Sequence, residues 1–239
     1  MTEHVANAIG TELDLLRVIR DMPCEDGPRD RLAHDAARYA SDLGLSSSLL
    51  LGEEHAVAFQ ILLRSLSESM IKLGWGLQSD ENAASLEVSA HNDFRRNLKS
   101  LVKGGVLSFQ NPNDGSSLDE SILALAVIDK EHRPTNIRDM AKTLGLEHFY
   151  QILYKNLSMQ THGNANTVVP SPPKSTSTER AHALLGGLQT VKILSAKWLT
   201  RREIVEPSCL QSMLLPAAGP NDPFEADGHA AAQLKRQDL

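Results

Sequence analysis

The sequence predicts an all-α protein of about seven helices. Aromatic residues make up only 4% of the chain and apolar residues 41%, with Leu and Ala plentiful among them. That mixture favours helix over sheet. Apolar residues also recur at three- and four-residue spacing in several long runs, while no run alternates with period two.

Residues 2–21 read as an amphipathic helix through Val5, Ala8, Ile9, Leu13, Leu16 and Ile19. The stretch from Pro23 to Pro28 breaks it. A second helix, from about Arg29 to Leu43, is expected to stop at Gly44. The third is the strongest and runs from about Leu49 or Glu53 to Leu77. Its apolar stripe includes Phe59, Leu63, Leu66, Met70 and Leu73. Asp80 is the expected N-cap of a fourth helix, which Gly104-Gly105 ends. Residues 111–117 form a turn-rich loop. Ser117 and Glu120 then resemble a capping box for a helix through about Lys130. A short helix follows from Asn136 to Leu144, and another from Glu147 to Thr161. Residues 168–178, rich in Pro, Ser and Thr, read as a connector. A last helix spans about Thr178 to Glu203. The Pro-rich remainder reads as a disordered tail. The expected organisation is N-terminal helices over 1–46, a helical bundle over 47–205 and the tail over 206–239.

With 24 basic and 30 acidic residues the net charge is −6. This excludes a surface coated with phosphate-binding groups, though a small basic pocket remains compatible with it. No run of about 18 apolar residues is present, so no membrane span is expected. The N-terminus has no signal-peptide pattern. Cys24 and Cys209 form neither a CxxC pair nor a disulfide framework, so the expected home is a reducing cytoplasm. The nine histidines show no HxxxH or HExxH spacing, and no metal or cofactor is expected. No P-loop, dinucleotide turn or nucleophile elbow is present. Residues 137–150 have an Ala-x3-Gly pattern like a helix-turn-helix. Their second helix opens with Glu147, His148 and Phe149, a poor surface for a phosphate backbone.

Chemistry concentrates in two places. Tyr150, Tyr154, Ser158 and His162 recur every four residues, so successive members sit one above the other on a helix. Lys155 and His162 are seven apart and return to nearly the same face. This places phenol, ammonium, hydroxyl and imidazole where a core helix would carry Leu or Val. At a helix end before Gly163, His162 could equally interact with the last carbonyls. The second place is Arg64 and Glu68, i and i+4 on the third helix. They read as a surface pair, as a buried network needing further partners, or as part of a site.

Together, Arg64-x3-Glu68 and Tyr150-x3-Tyr154-x3-Ser158-x3-His162-Gly163 resemble an uncharacterised bacterial helical family. That family is similar to the HEPN superfamily of helical bundles, and the resemblance covers about residues 53 to 200. Many HEPN bundles are metal-independent ribonucleases in toxin–antitoxin and other defence systems. Their motif is an Arg, usually followed by a polar residue, with a His shortly after. Here Lys155-Asn156 and His162 occupy that frame, with Lys replacing the Arg and losing its bidentate fork. The resemblance implies RNA cleavage in which His162 moves the proton. Lys155 and Arg64 would stabilise phosphorane charge, Ser158 would position the phosphate, and Glu68 would hold Arg64. Tyr150, Tyr154 and Asn156 would bind. It further implies a homodimer and an antitoxin or other protein partner. The alternative is a catalytically inert helical module that binds a nucleotide or a partner protein. Either way, the third helix and the 147–161 helix are expected to pack directly.

Overall fold

The computed structural model describes residues 3–24, 27–52, 55–151 and 176–214. Nine helices occur among them. They are α1 (Glu3–Arg20), α2 (Pro28–Leu49), α3 (Ala56–Gly76), α4 (Asp80–Lys103), α5 (Asp119–Leu125), α6 (Ile137–Thr143), α7 (Glu147–Phe149), α8 (Ser177–Arg201) and α9 (Pro207–Leu214). The described residues form no strand, and their one bridge joins Gln110 to Ser117. None of these helices is long and apolar enough to cross a membrane.

Helices α1, α2, α3 and α8 build the main core. The apolar spacing of α1 turns Val5, Ile9, Leu13 and Leu16 inward, and that of α3 buries Phe59, Leu66, Met70 and Ile71. Opposite them, α8 contributes Leu184, Leu188, Val191 and Leu194. It starts at a capping box in which Thr176 and Glu179 bond reciprocally, satisfying two of the orphan amides of the first turn.

Helix α2 packs against both α1 and α8 through small residues on its buried face: Ala33, Ala37, Ala40, Gly44 and Ser47. The stop expected at Gly44 does not occur, because α2 runs through it to Leu49. A Cβ on Gly44 would lie 2.7 Å from a Leu13 methyl and 2.8 Å from a Leu188 methyl. The glycine serves helix packing rather than termination.

Helices α4 and α6 lie beside α3, and α9 packs against α8. Ser79, not Asp80, caps α4 by accepting from the Asn82 amide at 3.1 Å. Only Ala83, Asn92 and Val102 are buried along the whole of α4. The helix expected from Ser117 to Lys130 is shorter, and its downstream chain lies extended along α4 instead. Asn92 pins it with two bonds, donating to the Asp129 carbonyl at 3.0 Å and accepting from the Asp129 amide at 2.9 Å. These bonds satisfy backbone groups that a continued helix would otherwise have paired. The tail expected from residue 206 begins instead with α9, where Leu210 is buried. Pro207 opens that helix because a first-turn residue needs no amide hydrogen. Residues 215–239 lie outside the described part.

Candidate functional site

Four polar residues of α3 form one stripe, Ser65, Glu68, Ser69 and Lys72, spaced to share a helix face. The opposite side of α3 is occupied by the core, which directs this stripe toward α2 and α4. Glu68 pairs with Lys72 one turn later at 2.6 Å, the favourable order of acid before base. Arg64 flanks the stripe half-buried, with its Nε shielded from solvent.

In front of the stripe is a groove of about 620 Å³ between α2, α3, α4 and the chain entering α6. Its apolar lining comes from Leu32, Ala36, Leu86, Ile137 and Met140. Four carboxylates edge it, Asp35, Glu68, Glu87 and Asp93, with Lys72 the single cation among the described lining residues. Each carboxylate has an ion-pair partner. Asp35 meets Arg38 at 3.0 Å, Glu87 meets Arg31 at 2.7 Å, and Asp93 meets Arg96 at 2.9 Å. Tyr39, Ser65 and Ser69 add hydroxyls. Ser89 Oγ, also at the groove, is hydrogen-bonded to His132 Nε2 at 2.8 Å. This arrangement can hold an apolar surface and exchange ion pairs around it. Its carboxylates oppose a bound phosphate.

The residues expected to carry chemistry divide sharply. Arg64 and Glu68 are on α3, Glu68 in the groove lining and Arg64 beside it. Tyr150 follows α7, half-buried against the main core. Tyr154, Lys155, Asn156, Ser158 and His162 lie outside the described residues, and so does the expected contact between them and α3. Sequence reasoning missed Asp35, Tyr39, Lys72 and Asp93 as groove residues. The available signal was the Ser65/Glu68/Ser69/Lys72 face, polar where the Phe59/Leu63/Leu66/Met70/Leu73 face of α3 is apolar. Among the described residues no group of three or more His, Cys, Asp or Glu could hold a metal ion.

Fold and groove together define a helical protein with an open, acid-edged cleft on one side of its bundle. The chain belongs to a family of unknown function, DUF5677, whose model matches residues 32–169. No curated protein and no solved structure matches it. The matched stretch contains every described residue that lines the groove, as well as both motifs, Arg64/Glu68 and Tyr150 to His162. Helices α1 and α8 fall outside it.

Proposed function

We propose that this chain is a catalytically inert helical module that holds a segment of a partner protein in the α2–α3–α4 groove. The observation that carries the proposal is an apolar lining edged by carboxylates, wholly within the family-matched stretch. A nucleotide's phosphates would meet four carboxylates whose Arg and Lys partners are already engaged, so the groove suits a protein segment better. The occupant is a helix with apolar residues at helical spacing and Lys or Arg beside them. Its cations would take over carboxylates now paired within the chain. Exposed pairs of that kind are worth about 0–1 kcal/mol, so the exchange costs little.

The test uses a short helical peptide of Leu and Lys in that pattern as probe. It should bind, and its Glu-for-Lys counterpart should not. Glu68→Lys should weaken binding roughly tenfold, equivalent to about 1.4 kcal/mol. Ala90→Trp, which fills the groove, should abolish it. Binding indifferent to both substitutions would remove the proposal.

A second reading rests on the two sequence motifs, Arg64/Glu68 and Lys155-Asn156 with His162, both of which fall within the family-matched stretch. In it the chain is a HEPN-like, homodimeric defence or toxin-type protein that cleaves RNA without a metal. His162 takes the 2′-hydroxyl proton or protonates the leaving 5′-oxygen, and Lys155 with Arg64 offsets charge on the phosphorane. Ser158 and Glu68 position these groups. Total RNA incubated with the protein would then yield 2′,3′-cyclic phosphate ends, insensitive to chelator and lost in His162→Ala. DNA would be inert for want of the 2′-hydroxyl. Intact RNA in the presence of a well-folded wild-type chain would eliminate this reading.

A further inference from the structure

A second cleft, of about 390 Å³, lies between α1 and α8, outside the family-matched stretch. Its apolar ridges are Leu15, Val18 and Met22 on one side and Ile193 on the other. Leu15 is 42% exposed and Val18 62%, although both sit on a helix whose other face fills the core. The cleft is shallow, so a small molecule in it would stay largely in water, whereas a helix laid along two ridges would bury an apolar face.

The charges lining this cleft have one sign. Lys192, Lys197 and Arg201 border it, with no carboxylate among the described lining residues. Lys192 is already paired, its Nζ 2.7 Å from Glu12. Lys197 and Arg201 make no ion pair among the described residues. On α1 the nearby charges cancel in pairs, Arg17 with Asp14 and Arg20 with Asp21. The C-terminal carbonyls of α8 account for a cation in its last turn at Arg201. They account less for Lys197, a turn earlier, and not for the apolar ridges. In a chain of net charge −6, two neighbouring cations without an ion pair among the described residues, beside exposed Leu and Val, mark an uneven surface.

We infer that the α1–α8 cleft is a docking surface for an acidic amphipathic helix of a partner protein. The helix sets apolar residues against Val18 and Ile193, and its carboxylates meet Lys197 and Arg201. This surface differs in charge from the α2–α3–α4 groove and does not depend on that groove's function.

The test is fluorescence anisotropy with a labelled helical peptide of Leu at i, i+3, i+4 and i+7 and Glu at the flanking positions. It should bind the full chain, and affinity should fall as salt rises. Lys197→Glu with Arg201→Glu should reduce affinity at least tenfold, and so should Val18→Asp. Glu68→Lys should leave it unchanged, which separates failure here from failure at the other groove. Circular dichroism of each variant confirms the fold, since Val18 and Arg201 are exposed. Absence of binding, or equal binding by the variants, overturns the inference. So does sedimentation showing a wild-type dimer that Val18→Asp converts to a monomer, because a second copy would then cover the cleft.

Discussion

Trp198 donates its indole N–H to the carboxylate of Asp30 at 2.7 Å, tying the end of α8 to the first turn of α2. Asp30 is only 4% exposed and also accepts from the Arg202 guanidinium, a residue held in the left-handed conformation at φ 57°. Arg29 lies over the Trp198 ring, 4.1 Å from its centroid, and reaches Asp80 at 2.7 Å. One carboxylate therefore locks together the ends of α2 and α8, and its neighbour Arg29 brings in the start of α4. The groove depends on that lock, because α2 and α4 form two of its walls.

Asp30→Ala should destabilise the fold by about 3 kcal/mol, since it leaves two donors without their buried acceptor. For a chain of this size the melting temperature should fall by roughly 6–12 °C, measurable by calorimetry. Trp198→Phe, which keeps most of the ring but removes the N–H, should cost less, about 1–2 kcal/mol.

Adjacent glycines on α8 should respond with opposite signs. A Cβ on Gly187 would lie 2.6 Å from a methyl of Leu66, itself buried in α3. Gly187→Ala should destabilise by about 1 kcal/mol, because overpacking outweighs the gain in helix propensity. Gly186 has no atom within 4 Å of such a Cβ. Gly186→Ala should therefore stabilise by about 0.5–1 kcal/mol. Denaturant midpoints of the two variants decide it.

Glu179 should make the fold acid-sensitive. The Thr176 backbone amide and then its hydroxyl hold this carboxyl below its ordinary value of 4.5. A depressed carboxyl stabilises the folded state above the unfolded value and loses that contribution as pH falls through the folded one. Glu179→Gln should therefore narrow the difference in urea midpoint between neutral pH and about pH 3. An unchanged difference would show that the capping box does not govern this sensitivity.

Asn92 should hold the segment after α5 in place. Removing both of its bonds to Asp129 by Asn92→Leu should speed amide exchange over residues 127–132. The core helices α1, α2 and α8 should keep their protection.

Much of the helical architecture is legible in the chain, because α1 and α3 repeat apolar residues at a period that only a helix can bury on one face. Gly44 was not, since a helix-ending glycine and a close-packed glycine look alike until Leu13 and Leu188 are brought against them. Pro207 misled in a similar way, because proline breaks a helix interior yet is at home in a first turn. The groove was largely hidden. Asp35, Glu68 and Asp93 come from three separate helices, and only tertiary packing makes them neighbours. The Tyr150–His162 stripe stands out as a pattern, but from Tyr154 onward it lies outside the described residues.

Occupancy of the α2–α3–α4 groove is read directly by a nuclear magnetic resonance titration of the isotope-labelled chain with the Leu/Lys peptide. Shifts are expected at the amides of Tyr39, Ser65, Ser69, Ala90 and Ile137, with those of α1 and α8 unmoved. Absence of shifts, or shifts centred away from α2, α3 and α4, would contradict binding in that groove.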